Sequence, residues 1–98
     1  MAEIVLLKKA AEDIQKSRDW YDEKEENLGR MFVEKVDECI SRISEKPIAY
    51  PVKYRTLRAG LVATFPYSVF YSIEENDVIR VYACLHHKQN TDRILDER

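Results

Sequence analysis

The apolar positions of this 98-residue chain change their period along its length, and each change marks an element. Residues 3–7 hold the short run Ile4-Val5-Leu6-Leu7. It is long enough for one strand and far too short for a membrane span or a signal-peptide core. From Lys8 the period becomes helical, with Ala10, Ile14, Ser17, Tyr21 and Leu28 recurring among charged residues. Asn27 and Gly29 interrupt that pattern and predict a turn. A second helix follows, its stripe made of Phe32, Val36, Cys39, Ile40 and Ile43. Lys46-Pro47 ends it, because proline disfavours the helical region for the residue before it. Two helices joined so briefly predict an antiparallel helical hairpin.

After Pro51 the period becomes two. Leu57, Ala59, Leu61, Ala63 and Phe65 alternate with Arg58, Gly60, Val62 and Thr64, which predicts a strand with Gly60 as a candidate bulge. Phe65-Pro66 ends it, and Tyr67 to Ile73 forms the next strand. Glu74-Glu75-Asn76-Asp77 reads as a hairpin turn. In the last strand Ile79, Val81, Ala83 and Leu85 predict one face, and Arg80, Tyr82, Cys84 and His86 the other. The polar tail from His87 to Arg98 has room for one helical turn around Ile94-Leu95. The pattern predicts a single α+β domain over 1–98, with a helical hairpin packed on one face of an antiparallel sheet.

Composition narrows the function classes. A chain 45 % apolar and 35 % charged carries enough apolar surface to repay the entropy of ordering. Cys39 and Cys84 lack CxxC spacing and cannot staple a secreted mini-domain, which predicts a reduced, cytoplasmic setting. Net charge is −2, yet it is unevenly spread: residues 1–50 carry −3 and residues 51–98 carry +1. No acid falls between Lys46 and Ile73, a stretch that includes Lys53, Arg55 and Arg58. Such a surface fits an acidic or phosphate-bearing partner, and it equally fits a solvated sheet face. A dedicated nucleic-acid binder would be basic overall.

Four features could carry chemistry. Arg58 points away from the face of Leu57 and Ala59, so its fork is available to a carboxylate or phosphate, or to a cross-strand charge partner. His86-His87 closes the last strand and offers a general acid or base, or a solvated strand end. As neighbours on a strand they face opposite ways and make a poor chelate, so no metal is predicted. Tyr50, Tyr54, Phe65, Tyr67, Phe70, Tyr71 and Tyr82 suit a half-buried sheet or a protein interface better than base stacking. The tail adds Lys88, Arg93 and Arg98. No phosphate loop, dinucleotide motif, nucleophile elbow or zinc signature occurs, and no cofactor is predicted.

The stretch Arg58, then Phe65-Pro66-Tyr67-Ser68-Val69-Phe70-Tyr71, then Val78 through His86, resembles the RelE/ParE superfamily. These are toxins of bacterial type II toxin–antitoxin modules, also labelled plasmid stabilisation proteins. The family's arginine strand leads into "FPY", an acidic turn and a strand ending in histidine. A basic segment and a closing "W..R" follow, here Lys88 and Leu95-Asp96-Glu97-Arg98, with Thr91 for the usual proline and leucine for tryptophan. The resemblance implies a β-α-α-β-β-β order. It also implies a growth-arresting toxin neutralised by an antitoxin that wraps around it and carries the complex to promoter DNA. On the RelE branch the target is mRNA on the ribosome, and Lys53, Arg55, Arg58 and His86 are the residues that would serve cleavage. On the ParE branch the target is DNA gyrase and the toxin does no chemistry. The near-neutral charge and the lack of a convincing acid–base pair favour a protein target such as DNA gyrase over the ribosome-dependent endonuclease; a non-toxic homologue that only binds antitoxin is the third reading. Lys53, Arg55, Arg58, Lys88, Arg93 and Arg98 are expected to contact antitoxin or target. Phe65, Pro66, Tyr67 and Tyr71 are expected to be structural. No metal, cofactor or membrane enters this picture.

Overall fold

The structure is a computed structural model describing residues 2–98. The chain runs β1 (Glu3–Leu6), α1 (Lys8–Lys24), α2 (Leu28–Glu45), β2 (Val52–Tyr54), β3 (Leu57–Leu61), β4 (Tyr67–Glu74), β5 (Val78–His86) and α3 (Thr91–Asp96). Short 3-10 turns occupy Pro47–Ala49 and Glu75–Asp77. Asn27 takes the left-handed conformation, with φ of 66°, and reverses the chain between the helices. Gly29 then lets them close. Its amide donates to Asp22 Oδ1 at 2.9 Å, and a Cβ there would collide with the Arg18 carbonyl and the Asp22 carboxylate.

The five strands form one sheet in the order β1-β5-β4-β3-β2. Four of them are antiparallel, as expected, but β1 joins β5 in parallel, so the sheet is mixed. The hairpin carries the chain across the sheet from β1 at one edge to β2 at the other. β2 is an added edge strand whose three residues carry no readable period. β3 stops at Leu61, short of Phe65, and Thr64 turns with φ of 75°. Gly60 sits in regular register opposite Val69 and marks no bulge. A Cβ there would press on Ile43 Cδ1 at 3.0 Å and Cys39 Sγ at 3.3 Å, so the glycine lets α2 approach the sheet.

The bulge lies instead on β5. Tyr71 pairs with Val81 and Phe70 with Ala83, which leaves Tyr82 as the extra residue. It overturns the expected faces of this strand. Ile79, Val81 and Cys84 pack toward the hairpin with Phe32, Val36, Cys39 and Ile43. Ala83 and Leu85 join Leu57, Ala59, Phe70 and Leu95 on the other face. The sheet therefore has a core on both sides, and α3 covers part of the second.

The tail is more than a solvated strand of polar residues. Leu95 is buried, and the Arg98 guanidinium forks onto both carboxylate oxygens of Asp13, at 2.5 and 2.8 Å, while also donating to Tyr82 O. These two side chains are only 15 % and 14 % exposed. The pair thus clamps the chain end to α1 and to the bulge.

Candidate partner groove

On the face turned away from the hairpin, α3 and β2 leave a groove of about 550 Å³ between them. Its floor is apolar, made of Ala59, Leu61 and Phe70, with Tyr50, Pro51 and Tyr54 on the β2 side. Leu61 is 67 % exposed. Arg42, Lys53 and His87 stand on the rim, with Asp92 as the one acid. Arg42 reaches there by donating to the Leu61 carbonyl at 3.5 Å. Inside, Ser68 Oγ and His87 Nε2 share a hydrogen bond of 3.0 Å. The Tyr54 hydroxyl is buried and unbonded, the only such side-chain atom among the described residues.

The residues singled out from sequence are scattered around this feature rather than gathered in it. Lys53 lines the groove. Arg55 pairs with Asp96 at 3.0 Å, both side chains well exposed. Arg58 does point away from Leu57 and Ala59, but toward the segment that follows α2. There its Nη1 donates to Ile48 O at 3.2 Å and Tyr50 O at 2.5 Å. Lys88 and Arg93 are exposed, with no ion pair among the described residues. His86 lies on the hairpin side, its ring 5.1 Å from that of Tyr67. Lys53 and His86 therefore open onto opposite faces, and the set Lys53, Arg55, Arg58 and His86 does not converge on one point.

The Phe65-Pro66-Tyr67 corner is built into the core. Phe65 and Tyr67 are buried against Phe32, with ring centroids 5.3 and 4.8 Å away, and against Tyr21 at 4.9 and 6.2 Å. The Pro66 carbonyl accepts the His87 amide at 2.9 Å and so ties the corner to the end of β5. Tyr71 is fully buried, and its hydroxyl donates to Pro47 O at 2.6 Å. Burial pushes Tyr71 up to about 12, although the nearby Arg58 cation pulls the other way. Tyr21 is likewise pushed up to about 12 by burial and by its neighbour Tyr67. Both thiols are free and buried. Desolvation raises Cys39, and it raises Cys84 to about 12 with the help of the Asp13 charge. These are inert thiols, not nucleophiles.

Residue reading from sequence missed Ser68, Arg42 and Asp13, and preferred His86 to His87. Strand alternation alone would have put the two histidines on opposite faces. Which face holds the groove depends on the Tyr82 bulge, and nothing in the local pattern marks that.

The family model described as "ParE toxin of type II toxin-antitoxin system, parDE" matches residues 4–91 of this chain. Among solved structures the chain is similar to "Chromosomal ParDE TA system from P. aeruginosa", with a TM-score of 0.72 and 17 % identity over 88 % of this chain and 96 % of that one. At that identity the likeness speaks for the fold alone. A comparison with curated proteins finds no match.

Proposed function

The chain belongs to the ParE toxin family of type II toxin–antitoxin systems, and from that premise we infer that its antitoxin lies along the groove and that DNA gyrase is its target. The observation that carries the first part is Leu61, a large apolar side chain left 67 % exposed on an apolar floor under a rim of Arg42, Lys53 and His87. An otherwise disordered antitoxin segment would place apolar side chains on Ala59, Leu61 and Phe70 and acids against the rim. Lys88, Arg93 and Arg55 lie beyond the groove and would meet the acidic flanks of the same segment, or the target. Residues 1–98 act here as one toxin domain, reaching promoter DNA only through the antitoxin. Two free, buried thiols fit the reducing cytoplasm, and no described helix is long and apolar enough to cross a membrane.

A protein target is supported by the dispersal of the cleavage residues. Arg58 is held by two carbonyls, Arg55 by Asp96, and His86 faces the hairpin side. One observation favours a second reading, ribosome-dependent mRNA cleavage: the hydrogen-bonded Ser68–His87 pair shares the groove with Lys53. Gyrase supercoiling, with and without antitoxin, separates the two alongside translation of a defined mRNA with its new 5′ ends mapped. The gyrase reading expects supercoiling to fail, mRNA to stay intact, and His87→Ala to remain toxic. Cuts seen only with ribosomes and lost in His87→Ala would replace it with the nuclease. For the groove, Leu61→Ala should weaken antitoxin binding by roughly ten- to a hundredfold, the worth of one buried leucine, with thermal stability unchanged. Unaltered affinity would remove the groove from the interface.

A further inference from the structure

A second concavity, of about 330 Å³, lies on the hairpin side, where α1 passes the start of β4 and the end of β5. Its wall is a row of rings. Trp20 and Tyr21 are 5.0 Å apart, Tyr21 and Tyr67 6.2 Å, and Tyr67 and His86 5.1 Å. Lys16 and Gln89 close the ends. Trp20 is 53 % exposed, and the Lys24 ammonium sits 4.8 Å from its ring centre.

The lining holds one cation and several donors, with the hydroxyls of Ser17, Tyr21 and Tyr67 able to donate or accept. His86 Nδ1 accepts the Lys88 amide at 3.0 Å, which puts the ring proton on Nε2. Gln89 Oε1 accepts the His86 amide at 2.8 Å, which leaves its NH₂ group to donate. Lys16 and the Trp20 indole have donors only. The side-chain acceptors of His86 and Gln89 are thus engaged within the turn, and their donors are left beside an exposed aromatic. No carboxylate is among the lining residues, although α1 also carries Asp13, Asp19 and Glu23.

We propose that this concavity is a docking site for a carboxylate side chain of a partner protein, with an adjacent apolar or aromatic residue covering Trp20. A lysine and the donors of Trp20, His86 and Gln89 line the concavity with no resident carboxylate, a setting that suits an anionic acceptor. A protein is favoured over a nucleic acid because the molecule carries −2 overall and the concavity offers a single lysine, where a polyanion needs a run of cations. An exposed tryptophan beside cations is also the usual composition of a protein interface anchor. The site is separate from the groove. His87, the residue after His86, faces the other way, so both surfaces can be filled at once.

The test is a residue-resolved NMR titration of the free chain, following the Trp20 indole, the His86 ring and the Gln89 amide. The probe is acetyl-Phe-Glu-amide; acetyl-Phe-Gln-amide and adenosine monophosphate are the comparisons. The expected result is saturable shifts at those three groups with the Glu peptide, and binding roughly tenfold weaker for the Gln peptide, the value of one charge-assisted contact. Lys16→Ala should weaken the Glu peptide by a similar factor while leaving the rest of the spectrum in place, since Lys16 lies on an exposed helix face. His86→Ala should do the same. Absence of saturable shifts would overturn the proposal, as would equal affinity for the two peptides. Tighter binding of the nucleotide would make it a phosphate site, and shifts confined to His87 and Ser68 would move the recognition to the groove.

Discussion

Replacing Arg58 by alanine removes the donor that holds the segment between α2 and β2. Its guanidinium serves Ile48 O and Tyr50 O, and Tyr71 serves Pro47 O, so two side chains hold three carbonyls within four residues. The two lost bonds differ in weight. Ile48 is 75 % exposed, and water can replace its partner at a cost of about 0–1 kcal/mol. Tyr50 is half-buried, and its carbonyl takes the shorter, charge-assisted bond, worth about 1.5–3 kcal/mol. The expected loss is about 2–3 kcal/mol, which for a domain of this size lowers Tm by roughly 10–20 °C. Arg58→Lys should recover only part of it, because both bonds come from the terminal Nη1 and the lysine side chain ends one atom short of that position.

Thermal melting and antitoxin affinity, measured on the same Arg58→Ala sample, separate scaffold from contact. The scaffold reading expects a large fall in Tm. It also expects Arg58→Ala and Tyr71→Phe to be non-additive in a double-mutant cycle, since both release one segment. A variant that melts within about 2 °C of the parent yet binds antitoxin more than tenfold less tightly would refute this reasoning and return Arg58 to the interface.

Gly29→Ala should destabilise by about 2–4 kcal/mol in urea titration despite the ~1 kcal/mol that alanine normally adds to a helix, because its Cβ meets a backbone carbonyl that cannot move aside; a gain in stability would mean the helices sit further apart. Alkaline pH should weaken the fold: Cys84, Tyr21 and Tyr71 keep their protons to about 12 when folded but release them near 9 or 10 when unfolded. Stability is then complete below about pH 9 and falls above it, by about 1.4 kcal/mol per pH unit for each group in its window. A urea midpoint unchanged from pH 8 to 11 would contradict that burial. Tyr54→Phe removes a buried hydroxyl without a partner, so Tm should hold or rise by an amount equivalent to about 0–1 kcal/mol; a drop of several degrees would show the hydroxyl to be bonded.

The helices were legible because their signals are local. The start of α1 at Lys8 and the proline stop of α2 were read within a residue or so, but the turn falls earlier than Asn27 and Gly29 suggested, since α1 ends at Lys24 and Leu28 and Gly29 open α2. The family resemblance was carried by Phe65-Pro66-Tyr67, whose rings fill the meeting point of both helices with the sheet. The sheet was harder because it is buried on both faces. Leu57 and Ala59 pack on one side, Val62 on the other, and a period of two cannot say which side meets the hairpin. Arg58 was correctly placed opposite Leu57, but its partners are carbonyls of a turn, which no residue pattern announces. The parallel joining of β1 was hidden for the same reason, since four apolar residues carry no direction.

Tyr82 decides more of the functional surface than any residue in either concavity. As a regular strand position it would turn Ala83 and Leu85 toward the hairpin and His86 toward the groove. As a bulge it keeps Cys84 in the hairpin core, sends His86 to the ring-lined concavity and leaves His87 beside Ser68. A bulge disrupts the ladder locally and needs other partners for its backbone. Here Asp13 accepts the Cys84 amide at 3.0 Å, and Arg98, forked on that same carboxylate, donates to Tyr82 O. The clamp between α1 and the chain end therefore holds the register that separates the two faces. Loosening it should disturb His86 and His87 together, although neither touches Asp13 or Arg98.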